Sequence, residues 1–231
     1  MRRQKEDATQ TAKGKRHHHH NYHISEYDST TRIEAFSDGV IAIIITIMVL
    51  ELKVPELAEQ FTREAFLQAA AHLAPRLIAY AMSFVIVAIF WVNHHNFYHA
   101  LVKSDGKLLW YNNFLLFWLS LIPFGTAFLG EHPMQMEAIM AFGFIMFMAG
   151  VSFPLMGYYA MFKADLIEEY YTPKMRRQVF LIALPGVILY AISILAAPYN
   201  VWVSWGIFFI VPSYYFMPIR IDQEMDSNLS G

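Results

Sequence analysis

Cysteine is absent from the 231 residues. No disulfide framework, thiol nucleophile or thiolate metal site is therefore open to this chain. Charge is scarce too: Asp, Glu, Lys and Arg make up 16% of the residues, against about a quarter in ordinary soluble domains. The formal net charge is −2, too small to imply a nucleic-acid partner. Residues 1 to about 30 lack the apolar core of a secretory signal peptide. What the chain does have is apolar: 56% of it is hydrophobic. Its charges fall in short clusters with long apolar runs between them. A hydrocarbon core of roughly 30 Å takes about 20 apolar residues of helix, so the pattern predicts an all-α, polytopic membrane protein embedded in a lipid bilayer.

Three regions are expected. Residues 1–30 are polar and mixed in charge, and read as a disordered cytoplasmic tail. Within it His17 to His20 reads as a residual tag or a solvated low-complexity tract rather than a metal site. Residues 31–219 carry six transmembrane helices, and 220–231 form a short polar tail. The first span opens on Thr31 and Glu34, a capping-box pattern, and runs from Ala35 to Leu52 until Pro55 stops it. A short amphipathic interfacial helix is expected from Glu56 to Leu73. Further spans follow at about Pro75 to Tyr98, Leu108 to Leu129, Met134 to Met156 and Val179 to Ala197, with a sixth ending near Ile219. Internal prolines at Pro123, Pro154, Pro185 and Pro212 suit membrane helices, where neighbours satisfy the freed carbonyls.

The basic residues orient these spans. With the N-terminus inside, Arg32, Lys103, Lys107, Lys163, Lys174, Arg176, Arg177 and Arg220 fall on the cytoplasmic side together with the tail. Only Lys53, Arg63 and Arg76 fall outside. An even number of spans with both termini cytoplasmic satisfies the positive-inside rule, and a cell-membrane location follows. Lys174, Arg176 and Arg177 read as topology determinants.

Charge inside a spanning helix defaults to a functional reading. The densest such signal is Arg32-Ile-Glu-Ala-Phe36-Ser37-Asp38. At about 100° per residue, Gly39, Ile43, Leu50 and Val54 share one stripe of the first helix, flanked by Thr46 and Ile47. Ser37 and Asp38 point the other way. The end of span two carries Asn93, His94 and His95, and the start of span three carries Asn112 and Asn113. All lie at the depth of Asp38 on the cytoplasmic side. A polar layer is expected in which Ser37 and Asp38 bond some of these groups, since an unpartnered buried carboxylate is costly. Helix–helix glue is the plain reading of this layer, and a proton or ion relay the sharper one. Arg32 pairs either with Glu34 or with a neighbouring subunit.

Arg32-x-x-x-Phe36-Ser37-Asp38 ahead of an Ile/Val-rich helix resembles the motif of the lysosomal and endosomal potassium channel family, in its bacterial single-repeat members. Trp91-Val-Asn93-His94-His95 and Trp110-Tyr-Asn112-Asn113 extend the resemblance, and the last three spans match in hydropathy. It implies a homotetramer around a central pore lined by the first helix of each subunit. The family lacks the Thr-Val-Gly-Tyr-Gly filter of ordinary potassium channels, as does this chain. Carried onto this sequence, the resemblance makes Ile43 and Leu50, with Ile47 near them, a hydrophobic constriction, and gives Thr46 a part in selectivity. Arg32, Phe36, Ser37 and Asp38 then hold the pore helix, with Asn93, His94 and Asn112 as partners. The function implied is a passive, potassium-preferring cation channel. It takes permeant monovalent cations, K+ first, with no enzymatic activity, cofactor or bound metal. Glu51 either concentrates cations at the outer mouth or is a solvated helix end.

Three other readings compete. His94, His95 and His99 sit at a cytoplasmic boundary, and His95 and His99 share a helical face, a metal-ligand spacing. A membrane di-iron enzyme needs several such boxes, and this sequence has one. A proton-coupled secondary transporter using Asp38 would show internal repeats, and none is evident. A structural protein would account for Trp91, Trp110, Trp118, Trp202 and Trp205 as interfacial belts.

Overall fold

The computed structural model describes residues 30–53 and 62–216. Residues 1–29 of the predicted first tail, with His17 to His20, the whole second tail, Val54 and Pro55 lie outside the described residues, whereas Thr30 already belongs to the first helix. Among the described residues five helices are long and apolar enough to cross a membrane. They are α1 (Thr30–Glu51), α2 (Arg63–His99), α3 (Gly106–Glu131), α4 (Met136–Lys163) and α5 (Pro173–Ala196). A shorter apolar helix, α6 (Val201–Phe216), follows. The expected end of the sixth span at Ile219 lies beyond the described residues. The chain is an all-helical polytopic membrane protein.

Two boundaries differ from the sequence expectation. Over its described part the expected interfacial helix is not separate: from Arg63 the backbone is helical without a break to His99, and residues 56–61 lie outside the described residues. Pro75 sits inside this helix and removes one donor, which leaves the Ala71 carbonyl without its helical partner. Ala65, Ala69, Ala70, Ala71 and Ala74 surround it, and alanine is the strongest helix former. A helix of 37 residues is about 55 Å long, so α2 overshoots the hydrocarbon core. The third span, by contrast, is interrupted. Its first piece ends at Ser120 and its second begins at Ile122. Pro123 causes the break, and the Leu121 amide turns back to the Trp118 carbonyl at 3.2 Å.

The centre of the bundle is α4, which packs on α3, α5 and α6. In lipid such contacts rest on close van der Waals fit more than on the hydrophobic effect. Phe142 of α4 meets Phe208 of α6 edge-to-face at 4.9 Å. Gly130 of α3 lets the α2 backbone approach, since a Cβ there would lie 3.0 Å from Arg76 Cα.

The connections gather at two ends. At one end, the loop after α2 meets the loop after α4 through paired bonds, Val102 N to Leu166 O at 2.9 Å and Glu168 N to Ala100 O at 3.1 Å. Arg176 anchors the same end, donating to Met161 O at 2.7 Å and Asp165 Oδ1 at 2.6 Å. Arg176 is therefore a structural clamp. Asp105 caps α3 by accepting from the Leu108 amide at 2.8 Å and also accepts from the Tyr159 hydroxyl at 2.5 Å. Burial pushes this carboxyl up, but the Tyr159 bond and the Leu108 and Lys107 amides outweigh it and hold Asp105 below its ordinary value. At the opposite end Arg76 pairs with Glu131 at 3.3 Å. Trp205 there donates to Pro133 O at 2.8 Å.

Candidate pore helix and its polar anchor

The first helix has two faces because its sequence has two. Ser37, Ile41, Ile44 and Met48 recur at helical spacing, and all are buried against the rest of the subunit. The opposite face is open. Ile43 is 57% exposed, Ile47 43% and Leu50 72%. A Cβ added at Gly39 would meet nothing within 4 Å. Four large or small apolar positions thus form a stripe that one subunit leaves uncovered. Beside it lies an open cleft of about 450 Å³ between α1 and α3, lined by Ile43, Ile47, Ser120, Pro123 and Phe124.

Thr46 lies within the same exposed face. Its hydroxyl is 2.9 Å from the Ile43 carbonyl and 3.1 Å from that of Ala42. The single hydroxyl proton points back into the helix, so the oxygen presents its remaining lone pairs outward. Glu51 ends the helix and is exposed.

The buried face is anchored by two sets of polar contacts. In the first, Asn112 of α3 stands between His94 of α2 and Ser37 of α1. Asn112 Oδ1 is 2.9 Å from His94 Nε2, and Asn112 Nδ2 donates to Ser37 Oγ at 2.9 Å. Ser37 passes its own proton to Ile33 O at 2.9 Å. An amide oxygen only accepts, so His94 carries its proton on Nε2. All three side chains are fully buried. His94 Nδ1 has no hydrogen-bond partner among the described residues, and the ring stacks on Tyr98 at 4.4 Å.

In the second set Trp91 Nε1 donates to Asp38 Oδ1 at 3.0 Å, and His95 Nδ1 lies 3.1 Å from Glu34 Oε1. The geometry is an antiparallel register. Glu34 and Asp38 are one turn apart on α1, and Trp91 and His95 are one turn apart on α2.

These contacts bring together part of what the sequence suggested. Ser37, His94 and Asn112 meet directly, whereas Asp38 turns to Trp91 rather than to an asparagine or histidine. Phe36 is 57% exposed and lies on the open stripe, so it does not hold α1 to its own subunit. Its position, one turn before Gly39 and Val40, puts it on the face of Ile43. Arg32 is exposed, and Asn93 is half-buried. Asn93 borders a cavity between α2, α4, α5 and α6 instead of joining the anchor. Glu34 and Trp91 were not foreseen as anchor residues. The signal for them was the pair of matched one-turn spacings, which two antiparallel helices bring face to face.

A helical membrane bundle with an uncovered apolar stripe on its first helix, and a polar anchor behind that stripe, has the build of a channel subunit. Residues 32–123 match the family model described as endosomal/lysosomal potassium channel TMEM175. A Chryseobacterium protein named a potassium channel is 32% identical over 85% of this chain and 98% of its own length. A Chamaesiphon minutus protein of the same description is 31% identical over 82% of this chain and 95% of its own. The crystal structure of a lysosomal potassium-selective channel TMEM175 homolog from Chamaesiphon minutus superposes with a TM-score of 0.71 at 29% identity, covering 81% of this chain and 96% of that one. The chain belongs to the TMEM175 family. Its relatives are ion channels, not enzymes.

Proposed function

We propose that this protein is a passive, potassium-preferring cation channel, assembled as a homotetramer in the cell membrane with α1 of each subunit lining one central pore. The observation that carries the reading is the uncovered stripe of Ile43, Ile47 and Leu50 on a helix whose other face is bonded to the subunit. Lipid covers comparable faces elsewhere, such as Ile188 and Leu195 on α5, and membership of the channel family is what turns this one toward an axis. Four copies turned toward an axis bury it, and the cleft between α1 and α3 offers room for a neighbour.

In that assembly, rings of Ile43 and Leu50 constrict the path and expel water, so the closed pore gates by dewetting. Opening widens the rings. Four Thr46 oxygens, with their protons turned back into the helix, replace part of the hydration shell of a potassium ion. Four hydroxyls bind less strongly than stacked carbonyls, which predicts modest selectivity. No cofactor takes part, only permeant monovalent cations. The polar anchor positions α1; Asp38, bonded to Trp91, has that role rather than the coupling role of a transporter.

Orientation follows from the charges. Arg32, Lys103, Lys107, Lys163, Lys174, Arg176 and Arg177 belong to the end where the loops after α2 and α4 meet. The opposite end has Lys53, Arg63 and Arg76. The richer end is cytoplasmic by the positive-inside rule.

The test is potassium flux from liposomes holding purified wild-type protein or Ile43→Asn. Flux in the wild type that rises or falls with the substitution supports the pore assignment. Assembled protein without flux in either form refutes the channel reading, and flux indifferent to Ile43→Asn removes α1 from the pore.

A further inference from the structure

At the end of the α1–α2 seam, three side chains stand outside the Ser37–Asn112–His94 anchor. These are Glu34 of α1 with His95 and His99 of α2. One ligand atom from each lies within 4.8 Å of the other two. His95 Nδ1 is 3.1 Å from Glu34 Oε1, and the His99 ring stands edge-on to that of His95 at 4.3 Å.

Two imidazole nitrogens and one carboxylate oxygen are a donor set that suits zinc-like divalent ions, whereas magnesium and calcium prefer oxygen alone. Bonds of about 2.0 Å in a tetrahedral site put donors about 3.3 Å apart. Binding draws the three donors, now within 4.8 Å of one another, to that spacing. His99 is exposed, which gives an ion its entry and leaves a fourth position to water. The His95 ring is already oriented. It stacks on Trp91 at 5.8 Å and 21°, and Trp91 is held in turn by Asp38. Such outer contacts tune a ligand's geometry and affinity. His94, next in sequence, faces Asn112 and is excluded.

We propose that Glu34, His95 and His99 form a binding site for a divalent transition-metal ion of the zinc class, and that the ion ties α1 to α2. A carboxylate from one helix and two histidines from the other cannot close on one ion without fixing the helices' separation. The role is a structural clasp, with no chemistry at the ion.

Zinc binding to the full-length protein tests this, by titration calorimetry. His17, His18, His19, His20 and His23 are each replaced by Ser in every sample, so that the polar tail does not compete for the ion. The expected result is one zinc ion per subunit, with affinity lower by about tenfold or more in His99→Ala and in Glu34→Gln, since loss of a direct ligand costs at least what loss of an outer partner does. Zinc should also raise the unfolding temperature of the parent and not of His99→Ala. His99 is exposed, so His99→Ala should assemble as the parent does, which size-exclusion chromatography checks. Equal affinity in parent and variants, or no binding by the parent below millimolar zinc, overturns the proposal. None of these readouts depends on ion flux, so the result is independent of the channel reading.

Discussion

The indole of Trp91 donates to the Asp38 carboxylate at 3.0 Å, across the seam between α2 and α1. The bond is charge-assisted, which makes it stronger than a neutral one. Trp91 is 40% exposed on the single subunit. Trp91→Phe should therefore destabilise the subunit by about 1 kcal/mol, read as a lower unfolding temperature in detergent. Asp38→Asn keeps an acceptor and should cost less than Asp38→Ala. An Asp38→Ala protein as stable as wild type would show that this bond does not anchor α1.

Asn112 occupies a stricter environment. It serves two buried partners at 2.9 Å each. Asn112→Ala leaves the His94 Nε2–H and the Ser37 oxygen without their partner. A loss of about 2–3 kcal/mol is expected, with Ser37→Ala, which breaks only one end, costing about half as much. Thermal unfolding of the two variants orders the effects, and a reversed order would contradict the shared bonding of Asn112.

Thr46 tests selectivity apart from folding. Its hydroxyl bonds only its own helix, so Thr46→Ala should assemble normally. The ratio of potassium to sodium flux in liposomes should fall. An unchanged ratio would take selectivity away from this ring.

Asp105 predicts an acid limb. Its carboxyl is held below the ordinary value, so the folded state prefers the ionised form. The stability it contributes is present above the unfolded value and lost as pH falls through the lower folded one. Asp105→Asn should flatten the decline in unfolding temperature below about pH 4 while leaving Tyr159 a hydrogen-bond acceptor. Identical acid profiles for the two proteins would remove Asp105 as a source of that decline.

Much of this architecture is written in the chain. Apolar runs long enough for a bilayer set the spans, because lipid offers no partner to an unpaired backbone group. Helical spacing alone separated Ser37 from the stripe of Ile43 and Leu50, since angular position around one helix needs no neighbour. The length of α2 was misread at Pro75, because one missing donor weighs less than a run of alanines.

What the tertiary structure decided is which groups meet. Periodicity gives the face of a helix, but not the height or rotation at which a second helix docks. Ser37, Asn112 and His94 were adjacent in depth, and packing made them bonded. Asp38 had several candidate partners at the same depth and took Trp91, while Glu34 one turn away took His95. That choice is the antiparallel register of α1 on α2. Buried side chains on both helices fix it, and no spacing within either helix records it.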